Sequence, residues 1–132
     1  MITKVFLVTG ANKGIGKQIA KELAGLGHTV YLAARNRSAG LAAEEELKAL
    51  GDVRFIHLDL NDVSTIEKAA EHIELKSGYL DGLINNAGII VDYGTASTVT
   101  IDALKKTFET NLFGTIIVTQ KMLPLLRMGQ NR

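Results

Sequence analysis

Apolar residues fall along the chain in short blocks that alternate between two periods. Val5–Val8, "TVYLAA" at 29–34, Val53–Leu58 and "LDGLIN" at 80–85 are continuous apolar runs rich in branched residues, the pattern of strands buried on both faces. Between them the spacing turns helical. Ile15, Ile19, Ala20, Leu23 and Leu26 are predicted to share one buried face, with Gly27 as the stop. Leu41–Leu50 reads as a second helix ended by Gly51. In residues 61–75, Ser64 and Glu67 have capping-box spacing ahead of Ile66, Ala70 and Ile73. Residues 86–100 read as a long loop. A long amphipathic helix is predicted over 102–127, with Leu104, Phe108, Leu112, Ile116 and Met122 in phase and Pro124 disturbing its last turn.

This βαβαβαβα order predicts an α/β fold: a doubly wound parallel sheet of Rossmann type in three α/β/α layers. Four strands are visible. The fourth is short and apolar and suits a central position better than an edge. The sheet is therefore expected to be incomplete, with 1–132 the dinucleotide-binding part, cut before a fifth strand.

Composition narrows the class. The chain has 132 residues, 46% apolar and 22% charged, with a net charge of +1. That size and balance fit one globular domain. Near-neutrality gives no field that would draw nucleic acid or a membrane surface. Without cysteine, disulfides, thiolate zinc sites and a cysteine nucleophile are excluded. No leader pattern or membrane-length apolar run is seen, so a cytoplasmic protein is expected. His28, His57 and His72 share no ligand spacing, and no metal site is expected.

The first strand runs into "TGANKGIG", residues 9–16, and then a helix. A glycine turn opening a helix is an anion site, because backbone N–H groups and the positive helix end converge there. Two motifs fail. A P-loop would need a hydroxyl after Lys17, where Gln18 stands, and a glycine at Ala11. The ordinary G-x-G-x-x-G fingerprint would need glycine at Asn12.

The pattern Thr9-Gly10-x-x-x-Gly14-x-Gly16 resembles the signature of the short-chain dehydrogenase/reductase family. Asp59-Leu60 after the third strand, Asn85-Asn86-Ala87-Gly88 after the fourth, and Asn111 in "TNLFGT" match further family motifs in order. "TGANKGIG", "AARN" and "MLPLLR" are most similar to the carbonyl-reductase-like branch. The resemblance spans nearly the whole chain. It implies that Gly10, Asn12, Lys13, Gly14, Ile15, Gly16, Asp59, Leu60, Asn86, Ala87 and Gly88 bind a dinucleotide. It also implies that Asn85 satisfies backbone groups between strands and that Asn111 supports a proton relay at the catalytic centre.

The second strand ends in Ala33-Ala34-Arg35-Asn36-Arg37, with no carboxylate to hold a ribose 2′-hydroxyl. Arg35, assisted by Lys13, suits a 2′-phosphate, so NADP is expected over NAD. The family's serine and Tyr-x-x-x-Lys follow the Asn111 helix. Tyr31, Tyr79 and Tyr93 begin no such pair. The expectation is the NADP(H)-binding part of an oxidoreductase acting on a small carbonyl or alcohol, inactive by itself. The alternatives are a non-catalytic dinucleotide-binding module or sensor, and a cofactor-free fragment that pairs through its sheet edge. A homo-oligomer is left open.

Overall fold

The computed structural model describes residues 2–89 and 94–129; Tyr93 and Arg132 lie outside them. The elements run β1 (Val5–Val8), α1 (Gly14–Gly25), β2 (Thr29–Ala34), α2 (Arg37–Leu47), β3 (Val53–His57), α3 (Val63–Lys76), β4 (Gly82–Ile84), α4 (Ile101–Phe108) and α5 (Thr115–Arg127). The strands pair in the order β3-β2-β1-β4, all parallel.

Strand alternation explains the two cores. Val5, Leu7, Tyr31, Ala33 and Ile56 point to one face, where Ile66 and Ile73 of α3 and Val118, Met122 and Leu125 of α5 cover them. Val8, Val30, Leu32 and Val53 point to the other, against Ala20 and Ala24 of α1 and Ala43 and Leu47 of α2. The result is the expected three-layer Rossmann architecture. β4 stands at the edge, paired with β1 alone among the described residues, and its three residues are only half-buried. Among the described residues, no helix is long and apolar enough to cross a membrane.

Several local expectations are corrected. α1 buries Gly16, Ala20 and Ala24, while Ile15 and Leu26 are exposed; small residues at a spacing of four bring this helix close to the sheet. α2 begins a turn earlier than expected because Asn36 caps it, accepting from the Ala39 N–H at 3.0 Å. Ser64 is not the cap of α3. Asp62 is, accepting from the N–H and the hydroxyl of Ser64.

The long helix is interrupted by a π-helical segment, Glu109–Gly114. Beyond it, α5 continues through Pro124 to Arg127. The inward face consists of Ala103, Thr110, Gly114, Val118, Met122 and Leu125. Leu104, Phe108, Leu112 and Ile116 face outward, leaving Met122 as the buried member of the expected stripe.

Candidate functional site: a cavity at the carboxyl ends of the strands

Three strand ends meet at the glycine turn. Gly10 and Gly14 have φ of +59° and +60°, a conformation available to glycine at little cost. A Cβ on Gly10 would stand 2.8 Å from the Ala87 Cα, and one on Gly16 would stand 2.6 Å from the Gly10 carbonyl oxygen. The first glycine lets the turn pass close to the β4 end. Gly16 lets the helix pack behind the turn.

The Thr9 hydroxyl oxygen accepts from the N–H groups of Asn86 and Ala87, both at 3.0 Å. The Asn86 side-chain amide donates to the Gly10 carbonyl at 3.0 Å, and the Ala11 N–H donates to the Ala33 carbonyl at 2.9 Å. Asn86, rather than Asn85, therefore ties the two strand ends together. Asn85 turns toward α5 and donates to the Thr119 hydroxyl at 3.2 Å.

The turn leaves its helix end unfilled. α2, α3 and α4 start on Asn36, Asp62 and Thr100, each with a side-chain oxygen bonded to a first-turn N–H. α1 starts on Lys13, which supplies no cap, and its first turn holds no acidic residue. First-turn N–H groups have no partner within their own helix, so this end remains available to an anion.

A cavity of about 720 Å³ opens there. It brings together Gly10, Asn12, Lys13, Gly14, Arg35, Asp59, Leu60, Asn86, Ala87 and Gly88. Ile15 and Gly16 do not line it. Among the described residues, Lys13 and Arg35 are its cationic lining groups and Asp59 its carboxylate. Neither cation forms an ion pair among the described residues. Asp59 accepts the Asn61 N–H at 2.9 Å, which shapes the loop after β3.

Asn111, in the π-helical segment, does not line the cavity itself but reaches Ile89, which does. Its side chain clasps one residue beyond Gly88: Oδ1 accepts the Ile89 N–H and Nδ2 donates to the Ile89 carbonyl, both at 2.7 Å. The same segment docks on the opposite wall. Thr110, almost fully buried, donates to the Asn61 Oδ1 at 2.8 Å. Gly114 passes so close to Leu60 that a Cβ would lie 2.7 Å from its carbonyl oxygen. π-helical turns often occur at functional sites, and here the extra residue lets Thr110 face inward while Asn111 reaches Ile89.

Sequence reasoning missed the polar lining residues Asn36, Asn61 and Thr110, and the apolar Ala39, Leu58 and Ile89. Asn36 had a visible signal, since it precedes a helix as a good cap. The Asn61–Thr110 contact joins positions 49 apart and had none.

The family model for short chain dehydrogenases matches residues 4–132. The chain belongs to this family. Within it, the sequence is carbonyl-reductase-like: it is 40% identical over 125 residues to human "Carbonyl reductase [NADPH] 1", covering 93% of this chain and 45% of the relative. A short-chain dehydrogenase/reductase of Phomopsis amygdali is 34% identical over 131 residues, covering 96% of this chain and 39% of the relative. The crystal structure of a Shigella flexneri short chain dehydrogenase complexed with NADP superposes with a TM-score of 0.86 at 29% identity, covering 93% of this chain and 53% of that one. The chain thus spans about half the length of these short-chain dehydrogenases. It is a member of a family of dinucleotide-binding oxidoreductases, and its cavity lies at the strand ends, where open α/β sheets bind ligands.

Proposed function

We propose that this chain forms the NADP(H)-binding part of an oxidoreductase that moves a hydride between nicotinamide and a small carbonyl or alcohol. The observation that carries the reading is one cavity that combines an uncapped helix end with two cations, Lys13 and Arg35, that form no ion pair among the described residues. Two anionic groups of one ligand would be served: a pyrophosphate at the glycine turn and a 2′-phosphate at the end of β2. The NADPH in the name of the human relative and the NADP in the Shigella flexneri complex support the choice.

The residues fit such a ligand. Gly10 and Gly14 leave the turn without side chains where a phosphate must come close to backbone. Lys13 and Arg35 supply the charge. Asp59 and Leu60 border the end of the cavity next to β3, where an adenine would lie. Asn86, Ala87 and Gly88 form the other wall, toward the nicotinamide end, and Asn111 fixes the backbone that follows them. Bound there, the coenzyme supplies the hydride, and these residues bind and orient it. None of the chain's tyrosines begins a Tyr-x-x-x-Lys pair, so the reading gives no proton donor within residues 1–132.

Arg35→Asp tests the assignment. An acidic side chain at the end of β2 repels a 2′-phosphate and accepts from a 2′-hydroxyl. The variant is expected to bind NADPH at least tenfold more weakly than wild type and NADH no more weakly. Equal NADPH affinity in the two proteins, measured by titration of cofactor fluorescence, would reject it.

A further inference from the structure

The turn that carries Arg35 is held from behind by a residue that lines no part of the cavity. β3 pairs with β2 in the register Ala34↔His57, and the Leu58 N–H donates to the Ala34 carbonyl at 3.1 Å. One residue further along, the ladder ends and a side chain takes over. The His57 Nε2 lies 2.9 Å from the carbonyl oxygen of Arg35. A carbonyl can only accept, so Nε2 carries the proton and donates it.

This bond fixes more than one atom. In a planar trans peptide the C=O and the next N–H point in opposite directions. Anchoring the Arg35 carbonyl on His57 therefore turns the Asn36 N–H away from β3. That N–H has no protein acceptor among the described residues. The two acceptor oxygens of Asn36 are committed to α2: Oδ1 accepts from the Ala39 N–H and the Ser38 hydroxyl, and the carbonyl accepts from the Gly40 N–H. Arg35 and Asn36 both line the cavity. With its helix side tied by Asn36 and its strand side by His57, the Arg35–Asn36 peptide holds one orientation.

We infer that His57 is a positioning residue for coenzyme choice: by holding the Arg35 carbonyl, it keeps a peptide N–H rather than a peptide C=O available to a ribose 2′-phosphate. The inference rests on the NADP reading above. Its chemistry has a sign. If the anchor is lost, the peptide is free to turn its carbonyl into the cavity. A 2′-phosphate dianion is repelled by that dipole and has no proton to give. A 2′-hydroxyl donates to it. Loss of the anchor should therefore weaken NADPH and spare NADH.

The test compares wild type, His57→Phe and His57→Gln as full chains, titrated with NADPH and with NADH. Phenylalanine keeps a ring and removes the donor; glutamine keeps an N–H of similar reach. Wild type should prefer NADPH. H57F should lower the ratio Kd(NADH)/Kd(NADPH) about five- to tenfold through weaker NADPH, with NADH unchanged within about twofold. H57Q should restore the ratio to within about twofold of wild type. A ratio unchanged in H57F, or equal weakening of both cofactors, leaves His57 a merely structural residue and overturns the inference alone. A lowered ratio that H57Q does not restore assigns the effect to the ring and also overturns it. Absence of an NADPH preference in wild type overturns the NADP reading and this inference with it. If H57F does not fold, H57A removes the same donor and is read in the same way.

Discussion

Gly10 and Gly25 show how differently one residue type is used in this chain. Gly10 has φ of +59°, and an added Cβ would press on the Ala87 backbone at 2.8 Å. Gly25, at the end of α1, has ordinary φ and nothing within 4 Å of an added Cβ. Gly10→Ala should cost about 2 kcal/mol or more, since the left-handed conformation alone costs alanine roughly 1 kcal/mol and the backbone contact adds to it. Gly25→Ala should raise stability by about 0.5–1 kcal/mol by restricting the unfolded chain. Urea denaturation of both variants checks the pair; a Gly10→Ala as stable as wild type contradicts the close passage of the turn over Ala87. Both glycines are visible in the sequence, and the motif at 9–16 marks Gly10 as special. The motif does not separate the role of Gly16, which is packing behind the turn, from that of a lining residue. That distinction arises from the Asn86 side chain and the Gly10 carbonyl beside it, which only the folded chain brings together.

At the scale of elements, periodicity located every strand among the described residues, and it failed where the outward helical face is the more apolar one. Leu104, Phe108, Leu112 and Ile116 are as regular as a core stripe, and they point outward. Over 103–114 the inward face is drawn from smaller or polar residues, Ala103, Thr110 and Gly114, because the segment must come close to Leu60 and Asn61. A π turn also shifts the phase between α4 and α5, which a fixed helical period does not follow.

Strand ends away from the cavity are tied by charge. Asp52, just before β3, accepts from the Arg54 guanidinium at 2.9 and 3.0 Å and from the Thr29 hydroxyl at 2.9 Å. The Arg54 hydrogen bonds hold its carboxyl below the ordinary value of 3.8, against a smaller opposing effect of burial, with further help from Thr29. A carboxyl with a depressed folded value contributes stability above its unfolded value and loses it as pH falls through the folded one. Asp52→Asn should therefore lie below wild type in urea midpoint at neutral pH, with the gap closing as pH falls below 3.8. A gap that stays constant down to pH 2 contradicts this. NADPH affinity should be unaffected, since Asp52 is at the end of the sheet opposite the cavity.

At the scale of the whole molecule, the parallel sheet, the layer order and the place of the cavity were legible in the sequence. Short apolar runs alternating with amphipathic helices admit few other arrangements, and ligands of such sheets gather at strand ends. The residues that position others were less legible. In sequence His57 is one of three histidines without shared ligand spacing; only the β2–β3 register puts its ring beside the Arg35 carbonyl. Asn86 ties the strand ends in place of Asn85 for a similar reason, since a one-residue difference at a strand end sends one side chain to α5 and the other to the glycine turn.

A cavity that takes a dinucleotide carrying a 2′-phosphate must distinguish NADPH from NADH. Titration of the wild-type chain with each, followed by cofactor fluorescence, measures this. Saturable binding of one NADPH per chain, at least tenfold tighter than NADH, is the predicted result. Absence of saturable NADPH binding, or NADH bound as tightly, would contradict it.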